Sequence, residues 1–332
     1  MNEVFPPETI AHVWSYLTIK DLVKYRATSR ANYNTVFSAI TNTIHRLLLP
    51  FAAEHGVLQF LNMLKFEKAV VSGSTALYPM ISSNFSGTDS SGTHWHPNDM
   101  DLYEPICREE NSGVVRYLVS VEGFVEIGKR KHLMAETYGF RPSINRITHL
   151  QKGDLFVDVV TASSPCAILP VFGFHSTPVF GWISGDGLFH AYPKMTCEGR
   201  GLTNPMTFTL KNFVPPLPPA NVRSALEKYF YRGFDIRKNP RCWPEGLGKE
   251  HVCTSDVNCP HTARHILDSG TMFLKFARFD DSSGILTPKE VLPYRSPSIL
   301  YWNLGGPSCD GERRVTESFI TLKAEEEEQV VM

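Results

Sequence analysis

In the run LFVDVV, Asp158 falls on the same strand face as Phe156 and Val160, where an unpartnered charge is costly. Upstream, DMDLY sets Asp99 and Asp101 two residues apart, so on a strand both carboxylates point to one face. Two such charges repel unless a cation lies between them or one carboxylate takes up a proton. Magnesium takes oxygen ligands, often one or two carboxylates plus substrate phosphates, and a third carboxylate from a neighbouring strand helps complete the cage. A chain that carries both runs is therefore constrained to bring two strands together around a polar site.

The surrounding pattern supplies such a sheet. Ser143–Leu150 and Leu155–Thr161 read as strands joined by a hairpin turn at Gln151-Lys152-Gly153-Asp154. Ala69–Val71 reads as a short strand, Gly73-Ser74 as a turn, and Thr75 as the start of a helix. Met100–Tyr103 is a strand stopped by Pro105, and Ser112–Val121 a helix. GFVEI is strand-like, and Lys129-Arg130-Lys131-His132 after it reads as a solvated hairpin turn. Strand, helix, strand, helix and hairpin in that order predict a mixed α+β chain with a small α/β sheet domain.

The flanks differ. Ile10, Val13, Trp14 and Leu17 recur at helical spacing, followed by Leu22, Val23 and Tyr25, then Tyr33, Val36, Phe37, Ile40, Ile44 and Leu47. Short helices this close together bury little alone, so their apolar faces need a partner or the next domain. Beyond the sheet, Phe213–Ala220 is a stiff proline-rich connector, Asn221 a cap for a helix over Val222–Arg232, and Arg237–Thr262 a loop-rich stretch. The acidic tail AEEEEQVVM reads as solvated. The expected divisions are a helical module at 1–48, a sheet domain at 51–212 and a C-terminal extension at 213–332.

With 332 residues there is room for two cores, and a net charge of −1 argues against a general nucleic-acid binder. No apolar run is long enough to span a membrane, and MNEVFPPETI lacks a signal peptide's basic start. Seven irregularly spaced cysteines do not read as a secreted disulfide framework, so a cytoplasmic or nuclear location is expected.

FPPETIAHVWSYLTIKDLVKYRATSRANYNTV closely resembles an F-box over about residues 4 to 45. Phe5, Pro6, Glu8, Ile10, Val13, Tyr16, Leu17, Asp21, Leu22 and Arg30 occupy the pattern's positions in order. Ser29 stands in place of the usual cysteine and Tyr33 in place of tryptophan. The resemblance implies docking onto the Skp-type adaptor of a cullin ubiquitin ligase, with Pro6, Ile10, Leu17 and Leu22 as anchors.

VVSGSTAL, then DMD, then VDV resembles the nucleotidyltransferase fold of the polymerase beta type, over roughly residues 66 to 165. The resemblance implies that Gly73 and Ser74 hold a triphosphate through backbone N–H groups, while Asp99, Asp101 and Asp158 hold magnesium. PNDMDLY, VDVVTA and the run from Phe174 to Thr196 are also similar to a fungal group that carries such a domain with undefined activity. The departure is a Gly/Ser loop that pushes Asp99 well downstream of Ser74, which a fold tolerates at small entropic cost.

Two further clusters contain metal-ligand types. His94-Trp95-His96 precedes Asp99 and reads as a loop pair facing the acidic site, without a third ligand nearby. Cys242, His251, Cys253, Cys259, His261 and His265 crowd one loop-rich segment, and Cys242, Cys253, Cys259 and His261 are the candidate zinc set; buried thiols and surface histidines are the alternative. Two functions follow. One is an F-box adaptor that recruits a target through its nucleotidyltransferase-like domain; the other is an active magnesium-dependent nucleotidyltransferase that takes an NTP.

Overall fold

The computed structural model describes residues 9, 13, 19–26, 28–52, 56–81, 95–106, 112–131, 143–207, 218–243, 251–276, 298–307, 309 and 315–324. Pro6, Ile10, Leu17 and His94, the connector at 213–217 and the acidic tail from 325 lie outside them.

Helix α1 (Ile19–Arg26) leads into α2 (Arg30–Leu48), which Ser29 caps: its Oγ accepts the Asn32 N–H at 3.1 Å. Val36, Ile40, Ile44 and Leu48 repeat every four residues down one side of α2, and all are buried. With Ile19 and Leu22 of α1 they join the same core as α3 (Val57–Glu67) and the sheet. The apolar faces of these helices are thus covered by the domain that follows.

Helix α3 stops at Lys68, whose left-handed φ of 56° returns its N–H to the carbonyls of Leu64 and Lys65. The chain then enters β1 (Val70–Ser72), α4 (Gly73–Leu77), β2 (Asp99–Glu104), α5 (Gly113–Ser120) and β3 (Val125–Lys131). Next come β4 (Ile144–Lys152), β5 (Leu155–Ala162), β6 (Gly181–Ile183), β7 (Gly187–His190), α6 (Pro193–Cys197) and β8 (Arg200–Leu202). Helix α7 (Ala220–Tyr231), β9 (Asp235–Arg237), β10 (Arg264–His265), β11 (Met272–Lys275), β12 (Ser298–Asn303) and β15 (Phe319–Ala324) complete the main frame, with β13 (Gly306–Pro307) and β14 (Val315–Thr316) between the last two.

The principal sheet has eight strands in the order β11-β7-β6-β1-β2-β5-β4-β3. β2 and β5 run parallel, and the other pairings in this sheet are antiparallel. A parallel pair needs a long crossover, here α5, β3 and β4. Val71, Leu102, Val157 and Val159 pack into the core shared with α3 and α5, while their neighbours Val70, Tyr103 and Val160 face a second core built on Phe172, Trp182, Phe189 and Trp302. Asp99, Asp101 and Asp158 fall on the second face by strand alternation, as their spacing predicts.

Local differences from the sequence reading have simple causes. β4 runs two residues further than expected and shortens the loop: Lys152 pairs with Leu155, and Gly153 takes the φ of 58° that a two-residue loop needs at its first position. Lys129–Lys131 belong to β3 rather than to a turn, because their backbone pairs with Arg146–Thr148. Helix α7 begins one turn position early, after Pro219, so Asn221 lies inside it and is not its cap. From beyond the connector, β11 pairs with β7, so the C-terminal region shares the principal sheet.

Candidate functional site

Three backbone segments meet at one point. Ser72 ends β1 opposite Asp101, and Asp101 in turn lies opposite Asp158 across the parallel β2–β5 pair. Gly73 then turns the chain at φ 67°, a region that glycine enters without strain. Any side chain there would also overlap the Asp101 carboxylate, so the glycine is demanded by conformation and by space. The Thr75 hydroxyl donates to the Asp99 carbonyl at 2.9 Å, and Ser74 Oγ to Asp99 Oδ1 at 3.4 Å. Ser72 Oγ donates to the Gly181 carbonyl at 2.7 Å, which fixes the turn against β6. Helix α4 is only five residues long, so its dipole offers little to an anion.

The electrostatics centre on Asp101. Its burial, with Asp99 and Asp158 close by, pushes its carboxyl up to about 7, against the opposing pull of Lys228 on α7. Asp158 is more open, and its Oδ1 lies 2.7 Å from His149 Nδ1. Lys228 and burial together hold His175 down to about 4, burial being the larger cause, so that its imidazole is neutral near pH 7. Burial keeps the Tyr229 phenol protonated, with Asp101 and Asp99 adding to the effect. Arg232 completes this wall, 4.2 Å above the Trp95 ring and 5.2 Å from that of Tyr229.

Gly73, Ser74, Asp99, Asp101 and Asp158 are therefore neighbours, as their strand placement predicts. His149, His175, Lys228, Tyr229 and Arg232 were not singled out from the sequence. His149 was within reach: counting back from a Gly153-Asp154 loop places it directly opposite Asp158. Lys228, Tyr229 and Arg232 arrive through the fold of a distant helix and carry no local signal. His96 Nε2 lies 2.9 Å from the hydroxyl of Tyr78. Leu22 lies in the intramolecular core, 7% exposed.

The cysteine–histidine reading needs correction. Cys242 is exposed, with its Sγ 3.6 Å from Asn239 Oδ1, and His261 Nδ1 lies 2.9 Å from Thr316 Oγ1. Instead, His251, Cys253, Cys259 and Cys309 bring their ligand atoms within 4.8 Å of one another and could hold a metal ion. Cys309 lies fifty residues after Cys259, beyond the reach of a local spacing pattern. Among the described residues no other group of at least three potential ligands gathers so tightly, so the three aspartates do not form a closed cage by themselves. Comparison with protein-family models, with curated proteins and with solved structures finds no match to this chain.

Proposed function

We propose that the site around Gly73 and the three aspartates binds a nucleoside triphosphate as its magnesium complex and transfers the nucleotidyl group to an acceptor. The observation that carries this reading is Asp101 lying beside Asp158 on adjacent parallel strands, with Gly73 pressed against its carboxylate. Magnesium is usually held by one or two carboxylates plus substrate phosphates, so such a site does not need a closed protein cage. Asp99 and Asp101, with Asp158, would hold the ion, which when bound neutralises charge on the phosphates.

The chain's own groups divide the remaining work. Lys228 supplies a fixed positive charge toward the phosphates. Ser74 is held by Asp99 at the turn that the resemblance assigns to the triphosphate. Asp158, steadied by His149 through Oδ1, takes the proton of the acceptor. A bond forms between the acceptor atom and the α-phosphorus, the bond from that phosphorus to the bridging oxygen breaks, and pyrophosphate leaves. The test is a thermal shift: magnesium with NTP raises the melting temperature of the wild type and leaves that of Asp99→Asn unchanged. Equal shifts in both proteins would overturn the reading.

A second reading is the F-box adaptor, and one observation favours it: Val13, on the N-terminal apolar stripe, is 49% exposed. Under this reading Val13→Asp abolishes co-purification with a Skp-type adaptor while the melting temperature is unchanged. Undiminished co-purification counts against it. Leu22 makes a poor probe, because a charge there disrupts the chain's own core.

A further inference from the structure

The loop that carries Cys253 and Cys259 has little apolar side-chain content of its own, yet it is closely tied to a distant segment. The Gly305 N–H donates to the Pro260 carbonyl at 2.8 Å, and His261 reaches Thr316. Between these ties lie His251, Cys253, Cys259 and Cys309, all buried or half-buried. We infer that these four side chains form a structural zinc site that clamps the 251–262 loop to the segment after β13.

Three independent features agree. The Cys253–Cys259 and Cys259–Cys309 sulfurs are each 3.9 Å apart. Thiolates about 2.3 Å from a tetrahedral zinc lie about 3.8 Å from one another. A disulfide needs about 2.05 Å, and these cysteines are free. Second, both ring nitrogens of His251 are buried without a hydrogen-bond partner, a costly arrangement that a coordinate bond resolves. Its Nδ1 stands 3.9 Å from the Asp256 carboxylate, the kind of outer partner that orients a metal-bound imidazole. Third, the backbone N–H of His261 donates to Cys259 Sγ at 3.4 Å. A neutral thiol is a weak acceptor, whereas a metal-bound thiolate uses such donors.

The chemistry is that of a closed site. Three cysteines and one histidine fill a tetrahedron and leave no open position for substrate, so the ion stabilises and does not catalyse. Its contribution is to the fold: Arg264, at the end of the clamped loop, begins the β10-β12-β15 sheet that covers the second core. Each of the three thiols passes its proton to solvent on binding, while the imidazole of His251 coordinates through the lone pair of an unprotonated nitrogen.

The full-length protein, purified without chelators, is expected to contain about one zinc per chain by elemental analysis, as one closed tetrahedral site requires. Replacing the zinc with cobalt is expected to give the intense visible bands of a tetrahedral thiolate site. Cys309→Ser and Cys253→Ser should lose the metal, while Cys242→Ser and His261→Gln keep it. If the ligand variants fail to fold, titrating wild-type thiols with a mercurial while following zinc release decides the matter. Absence of zinc together with no cobalt uptake, a disulfide among these cysteines, or metal lost from Cys242→Ser but kept in Cys309→Ser would overturn the assignment.

Discussion

At pH 8 and without divalent cations, Asp101→Asn melts at a higher temperature than the wild type, and near pH 4 the difference disappears. Asp101 is held up to about 7 by burial, then by Asp99 and Asp158. The unfolded chain releases this proton near the ordinary carboxylate value, so between that value and neutrality the native state holds the extra proton. Stability therefore falls as pH rises through this window and is flat above it. Asparagine removes the charge, with a gain on the order of 2–4 kcal/mol above pH 7. The measurement is the melting temperature of both proteins across that range. A lower melting temperature for Asp101→Asn at pH 8 would mean that Lys228 stabilises the carboxylate more than its acidic neighbours oppose it. The same substitution removes a proposed cation ligand, so a gain in stability with loss of nucleotide binding is the signature of a site that sacrifices stability for function.

The second large effect concerns Arg264. Its guanidinium is buried between Tyr192 and Trp302, donates to the Ala191 carbonyl at 3.1 Å and to that of Val257, and meets Asp268 Oδ1 at 2.7 Å. Asp268 also accepts the N–H groups of His265 and Gly270, and it is held below the usual carboxylate range although burial alone would raise it. Asp268→Ala leaves a buried cation without its counter-ion and is expected to cost about 3–5 kcal/mol. In a double-mutant cycle by urea denaturation, Arg264→Met with Asp268→Ala costs less than Asp268→Ala alone. Additive losses would show that the pair does not couple. Because Asp268 is depressed in the folded state, its contribution is present above the unfolded value and is lost as pH falls through the folded one.

What the sequence reveals here follows the reach of each signal. Strand alternation in DMDLY and LFVDVV is local, and it correctly places Asp99, Asp101 and Asp158 on one face. Glycine at position 73 is legible as a turn, but the carboxylate that forbids a side chain there is visible only once β1 and β2 pair. Val36, Ile40 and Ile44 mark a buried helical stripe without saying what buries it; the same core cluster also draws in Leu22. The cysteine cluster fails in the most instructive way. Cys253 and Cys259 are recognisable as a pair, but Cys242 and His261 are nearer in sequence than Cys309 and are passed over by the fold. His251, whose ring nitrogens have no hydrogen-bond partner, stands where His261 does not, because His261 Nδ1 lies beside the Thr316 hydroxyl.

The proposed nucleotide site is tested most directly by calorimetric titration of the intact wild-type chain with the common nucleoside triphosphates, with and without magnesium. Saturable binding of at least one of them that requires magnesium is expected. No binding of any of them with magnesium present, by a protein whose fold is verified, would contradict it.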